Sequence, residues 1–355
     1  MSIIKKYFQS FFIDGMVGLS IGLYSTVVAG TILETIGLVL GGQIGQYIAL
    51  AAGLIKLLVG IGIGVGVATK LGASPSVVVC SAIAGYIGAY AYDIMNGTHF
   101  VNGSISIENA GNALVAYVAA FITIEIGELV ANKTKLNYMI TPIIAISCGI
   151  ATSFYVAKPI YEMTKTYSDM VNWAINQNTL VMSIVVAVLM GLAATLPIGS
   201  VAIAMMLNMT GAAAAAATIG CCVNMIGFAT ASFRDNKIEG FLLQGLGTST
   251  IQFPNVIKNP MICIPVVVTS AILGPIGVCV FKMTSDVNAA GMGSCGLVSQ
   301  IMTYQTMIND GVGRNTVLIE IMLMQLLLPA VLTWIISEFM RKRGFIKDDD
   351  MKISI

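Results

Sequence analysis

The sequence predicts an all-α polytopic membrane protein of about ten transmembrane helices with one or two re-entrant polar hairpins. Three observations carry this. Of the 355 residues, 57% are hydrophobic and 10% charged, where a soluble domain carries about 25% charged residues. Apolar runs of roughly 18 or more residues recur along the whole length, as helices that cross a bilayer require. No stretch between them resembles a soluble domain, so residues 1–355 read as a single membrane-embedded domain.

The first segment lies near 12–36 and follows Lys5 and Lys6. It exceeds signal-peptide length and lacks a small-residue cleavage site, which predicts an uncleaved first helix. Segments near 46–69 and 73–92 follow. The run "VGIGIGVGVATK" places glycines at 60, 62, 64 and 66. Inside a spanning helix this suits close helix packing and excludes a phosphate loop. Segments near 112–131 and 138–157 complete the first half. The next segment, near 180–208, is overlong and broken at "TLPIGS", where Pro197 removes a backbone donor. A kink or half-helix is expected there. The remaining segments lie near 211–232, 260–281, 285–304 and 316–339. Two polar connections, 93–111 and 233–259, are long and mixed enough to dip back into the membrane.

Lysines and arginines near helix ends set orientation. With the N-terminus inside, most of the 18 basic residues collect on the cytoplasmic side, and both termini are expected there. Arg234, Lys237 and Lys258 fall on the other side. Either a re-entrant hairpin returns loop 233–259 to the cytoplasm, which is the favoured reading, or the span count is off by one.

A faint internal repeat relates halves near 46–157 and 180–304. Asn112, Gly127, Lys135 and "SCG" at 147–149 recur 147 residues later as Asn259, Gly274, Lys282 and "SCG" at 294–296. A biased composition also produces such matches by chance. A true repeat would place the two polar connections at equivalent positions, as in transporters built from related halves.

Charges within spans cost about 2.5–3.5 kcal/mol each on insertion scales. Glu125 and Glu128 share a helix face, which suits either proximity to Lys133 and Lys135 or a polar cavity or ion-coupling carboxylate. Asp14, Glu34 and Lys56 read as interfacial, with Lys56 able to snorkel. Glu320 opens the last span, where an ion pair with Arg314 is expected. The seven cysteines sit in apolar surroundings without C-x-x-C spacing, so packing rather than a metal or disulfide set is expected. A single histidine excludes a histidine-rich metal site, and no cofactor is expected. A net charge of +1 without a dense basic patch gives no reason for a nucleic-acid partner.

The stretch "QGLGTSTIQFPNVIKNPMICIP", Gln244–Pro265, is the richest in polar side chains beside a spanning segment. Asn259 can cap the following helix with Pro260 at its first position, and the positive helix end then faces the loop. Gln244, Thr248, Gln252, Asn255, Lys258 and Asn259 are candidate ligands. Amides and hydroxyls with few charges suit a neutral polyol, whose hydroxyls donate and accept; a solvated surface loop is the alternative. His99, Glu108 and Asn112, from the first polar connection, are further candidates, although His99 reads first as an exposed loop residue.

The runs "GLAATLPIGSVAIA", "FRDNKIEGFLLQGLGTSTIQFPNVIKNPMICIPVVVTSAILGPIG" and "GMGSCGLVSQI" resemble the membrane component, enzyme IIC, of the bacterial phosphotransferase system, in the branch of perfringolysin O regulator-like membrane proteins. The resemblance implies a permease of the cytoplasmic membrane, usually homodimeric, that carries a carbohydrate inward while a IIB protein phosphorylates it. No IIA or IIB domain is fused, so a separate phosphocarrier is implied. The glycine–isoleucine–threonine–glutamate–proline signature of the glucose-type branch is absent, so its catalytic residues do not carry over, and no catalytic site is assigned. Some members of the branch are named as regulators. A non-transporting sensor therefore stands as one alternative, and an ion-coupled transporter resting on Glu125 and Glu128 as another.

Overall fold

A computed structural model describes residues 7–97, 100–101, 104–105, 111–131 and 137–353. It is an all-α polytopic membrane fold. Among the described residues, six helices are long and apolar enough to cross a bilayer, or seven if one bent pair counts as a span. The chain divides into two compact units at Lys165 and Thr166.

In the first unit, α1 (Tyr7–Leu40) carries π-turns at Ser10–Asp14 and Tyr24–Val28. The segment read as one span near 46–69 is two helices, α2 (Gly42–Leu57) and α3 (Val59–Lys70), bent by 57°. Then come α4 (Pro75–Ala89), α5 (Ala91–Asn96), a two-strand ribbon β1 (Phe100–Val101) and β2 (Ser104–Ile105), and α6 (Ala113–Val130). The last helix, α7 (Asn137–Ile175), runs on well past the predicted 138–157 and into the second unit.

The glycine run of α3 works on two sides. A Cβ on Gly60 or Gly64 would collide with the main chain of Gly85 or Ser81 on α4. A Cβ on Gly62 or Gly66 would collide with Gly22 or Gly18 on α1. Spacing of four puts each pair on one face, so α3 is clamped between α1 and α4 at backbone contact. Glu34 and Lys56 were expected at the interface, but they bond each other at 2.7 Å, half-buried between α1 and α2. Pairing replaces snorkelling because each charge offsets the other inside the helix layer. Glu128 accepts from the Ser74 amide at 2.6 Å, at the N-terminus of α4, where a carboxylate complements the helix dipole. Lys133 and Lys135 lie outside the described residues.

The second unit holds α8 (Thr179–Thr195), α9 (Ser200–Met206), α10 (Gly211–Ala231), α11 (Phe233–Leu242), α12 (Phe253–Lys258), α13 (Pro260–Val280), α14 (Val298–Asn309) and α15 (Arg314–Lys342). The alanine-rich α10 is buried along nearly its whole length and is the axis of this unit. At its first end the Gly211 and Ser285 main chains pair, and Thr284 bonds Asp310. At its other end Arg341 reaches Asp235 and Arg234 reaches Glu338.

Two expectations are corrected here. The segment 285–304 is not a continuous helix: residues 282–294 are non-helical and α14 starts only at Val298. Gly291, Gly293 and Gly296 there adopt left-handed φ of 91°, 61° and 53°, a region glycine enters without penalty. Glu320 makes no ion pair with Arg314; its Oε2 is buried without a hydrogen-bond partner among the described residues.

Candidate functional site

Three broken segments meet around the middle of α10. The first is the expected break at "TLPIGS". Helix α8 runs alongside α10 and ends at Thr195, whose hydroxyl lies 3.1 Å from Asn224 Oδ1. Asn224 is seven residues, about two turns, short of the end of α10. The chain then turns through Pro197 and Gly199 (φ +85°) into α9 and returns toward Gly211. The second segment enters from the opposite end as the π-turn Leu243–Gly247 and the 3-10 turn Ser249–Gln252. Ser249 Oγ lies 3.0 Å from Thr195 Oγ1, and Thr250 Oγ1 donates to Ala194 O at 3.0 Å. The third is the non-helical stretch before α14. Ser200 donates to Gly291 O at 2.7 Å, and Ser294 donates to Gly245 O. Non-helical backbone at such depth persists only where protein buries it or it lines a cavity.

Loop 233–259 leaves and returns at the same end of α10. That end also carries the C-terminal tail, and the predicted amides join the two. Gln244 Nε2 donates to Ser232 Oγ at 2.9 Å and Gly240 O at 2.8 Å. Gln252 Nε2 donates to Gln244 Oε1 at 2.8 Å and to the Met351 main-chain oxygen at 2.9 Å. Asn255 Nδ2 donates to Gln252 Oε1 at 2.8 Å and to Lys352 O at 2.9 Å. The result is a ladder of three buried amides whose donors are all engaged. Asn259 caps the next helix through Met261 N at 3.1 Å, as its position before Pro260 predicts, and its Nδ2 reaches Asp350 at 2.7 Å. Asn236 completes the seat, donating to Met351 O and accepting from Ile353 N, both at 2.8 Å. Ile346 and Met351 are buried in the same hydrophobic cluster as α10.

Thr248 caps the 3-10 turn, accepting from Thr250 N at 3.2 Å. Lys258 is exposed at the end of α12. Asn112 accepts from Leu114 N and Val115 N and so caps α6, the same role Asn259 plays 147 residues later. His99 and Glu108 lie outside the described residues. Near the tail, Arg341 and Asp235 approach to 3.3 Å with side chains 6% and 5% exposed.

Sequence reasoning passed over the polar residues inside the spans. Thr195 and Asn224 belong to the meeting point. Gln300, Thr303 and Gln325 form a second buried group: Gln325 Nε2 donates to Thr303 Oγ1 at 3.2 Å, Ser285 and Thr303 hydroxyls lie 2.9 Å apart, and Gln300 Nε2 reaches Cys222 Sγ at 3.4 Å. Gln300 Oε1 and Gln325 Oε1 have no hydrogen-bond partner among the described residues. A buried orphan of this kind costs about 1–3 kcal/mol and calls for an explanation in water, ion or ligand. The available signal was lone amides within apolar runs, "CCVNMIG", "LVSQIM" and "LMQLLLP".

The polar residues gathered here are thus amides and hydroxyls, carried on helices and on the unwound segments between them. Such groups can bind and orient a neutral, hydrogen-bonding solute; by themselves they supply no nucleophile–base pair. A family model described as "Phosphotransferase system, EIIC" matches residues 13–353. No curated protein matches the chain.

Proposed function

The chain belongs to the phosphotransferase system EIIC family and has that family's permease-type function in the membrane; from this premise we propose that its cargo is a carbohydrate or polyol, phosphorylated as it enters by a separate IIB-type protein. The observation that carries the proposal is the meeting of the three broken segments at Thr195, Ser249 and Ser294. Transporter substrate sites lie near the membrane midplane between discontinuous helices, and neutral amides and hydroxyls match a neutral polyhydroxyl solute.

Loop 244–259 forms one wall, with Gln244, Thr248, Gln252, Asn255 and Asn259 as its hydrogen-bonding residues. His99, Glu108 and Asn112 of the first polar connection are proposed as a further contribution. Lys258 or Arg234, the latter paired with Glu338, would supply the cation that steadies the incoming phosphoryl group. The tail and loop 233–259 face the cytoplasm, both termini lie inside, and the protein works as a homodimer. The caps at Asn112 and Asn259 support related halves near 46–157 and 180–304.

The test is uptake of labelled sugars and polyols by proteoliposomes, with and without a phosphorylated IIB-type partner inside. Accumulation of sugar phosphate only with the partner is the expected result. Accumulation driven by a proton or sodium gradient alone would establish ion coupling instead. Binding without accumulation would establish a sensor.

A further inference from the structure

We infer that Gln300 and Gln325 form a substrate subsite of their own, presenting their side-chain oxygens to hydroxyl groups of a neutral polyhydroxyl solute. The inference rests on the carbohydrate reading above and assigns residues outside loop 244–259.

Both side chains are interior, Gln300 8% and Gln325 1% exposed. Their nitrogens are pinned, Gln300 Nε2 on Cys222 Sγ and Gln325 Nε2 on Thr303 Oγ1. Tethering the nitrogen restricts how the amide can turn, and each oxygen is buried without a donor among the described residues. Gln300 and Thr303 stand three apart on α14 and share a face. Thr303 in turn holds Gln325 of α15 and Ser285. The Thr303 hydroxyl therefore ties Gln325 to the start of the unwound stretch, and Gln300 joins them as the neighbour of Thr303 on the same face of α14.

The depth is that of the meeting point. Cys222, the tether of Gln300, is two residues from Asn224 on α10, about 3 Å along the axis. The unwound stretch lies against the same part of α10, with Gly293 packed on Cys221 and Met225.

The chemistry of the group selects the ligand. Ser285, Thr303, Gln300, Gln325 and Cys222 carry no formal charge, so a bare cation here would lack a counter-charge and pay heavily for desolvation. The orphan atoms are acceptors and require donors. A sugar hydroxyl donates and accepts, and so satisfies either end of an amide as well as the neighbouring hydroxyls. The tail-facing ladder differs in this respect: its donors already hold main-chain oxygens, whereas the Gln300 and Gln325 oxygens have no partner among the described residues.

The test uses thermal unfolding of the purified full chain in detergent with glucose, galactose, fructose, mannitol, sorbitol, N-acetylglucosamine, maltose and cellobiose. Any sugar that stabilises the wild type is then titrated against Gln300→Met and Gln325→Met, which keep side-chain length and remove the acceptor. Gln43→Met, at an exposed glutamine bonded to Tyr47, is the control. Losing one neutral hydrogen bond weakens affinity by up to about tenfold, so each variant is expected to need about tenfold more sugar for the same shift, while the control matches the wild type. Deoxy analogues of the active sugar provide a second measurement. Removal of the contacting hydroxyl must weaken wild-type binding yet cost nothing further in the matching variant, a coupling that a merely structural glutamine would not show. Unchanged affinity in both variants would overturn the subsite, leaving a bridging water as the partner of the orphan oxygens and the carbohydrate reading intact. No stabilisation of the wild type by any of these sugars would overturn the carbohydrate reading and the subsite together. If a methionine variant unfolds without sugar, the deoxy series on the other variant decides.

Discussion

Asn255 donates to the main-chain oxygen of Lys352 at 2.9 Å, across 97 positions of chain. Through this bond and its neighbours from Gln252, Asn236 and Asn259, the loop once legible only as amide-rich becomes the seat of the C-terminal tail. Loop and tail are one structure, and the loop's conformation depends on residues 345–353.

Met351 is fully buried and anchors that tail. Met351→Ala should destabilise the protein by about 2–5 kcal/mol, the range for removing a buried methionine side chain. Thermal unfolding in detergent measures it, and hydrogen exchange at 236–259 should accelerate with it. An unchanged melting temperature would mean the tail is not held.

Arg341 and Asp235 form a buried ion pair. Arg341→Met leaves Asp235 uncompensated, and a loss of about 3–5 kcal/mol is expected. Adding Asp235→Asn to that variant should recover part of the loss, because the buried charge then disappears. Chemical-denaturant or thermal midpoints of the two variants compare directly. A double variant no better than the single one would argue against the pair.

Helices α8 and α10 touch at backbone distance. A Cβ on Gly220 would overlap the main chain of Ala187. Gly220→Ala should therefore force the helices apart and abolish a monodisperse peak in size-exclusion chromatography. The same substitution at Gly53, where a Cβ meets nothing within 4 Å, should leave the profile unchanged.

The proposed cytoplasmic position of loop 233–259 and the tail is open to a direct test of sidedness. In a background with the seven native cysteines replaced, Lys237→Cys and Lys347→Cys should react with an impermeant maleimide only after cells are permeabilised. Gly313→Cys, at the other end of the unit, should react in intact cells. Reaction of Lys237→Cys and Lys347→Cys from different sides would rule out the shared end.

Asn255→Ala tests the proposed wall of the substrate site. Asn255 donates to both Gln252 and Lys352, so the variant should express, melt lower as those acceptors lose their donor, and lose sugar-induced stabilisation. Wild-type affinity in this variant would remove Asn255 from the site.

Much of the fold was legible because apolar length and proline or glycine breaks act locally. The long apolar runs, the break at Pro197 and the packing glycines of α3 each follow from a few consecutive residues and a bilayer that admits no unsatisfied backbone. The cap at Asn259 is equally local. The bend at Leu58 lies in an apolar run and was not legible. The unwinding of 282–294 did carry a local signal that reading 285–304 as a span passed over: Asp286, Asn288, Gly291 and Gly293, with Asp286 accepting from the Asn288 and Ala289 amides in a turn.

The sequence by itself determined a helical membrane protein with two polar loops, and it singled out the amides of 244–259. Their neighbours were decided only by the tertiary structure. Hydrogen bonding is short-ranged and directional, so an amide's partner depends on which distant segment folding brings within about 3 Å. In this chain that segment is the tail for Gln252 and Asn255. For Gln300 and Gln325, the fold supplies a partner to each nitrogen and, among the described residues, none to either buried oxygen.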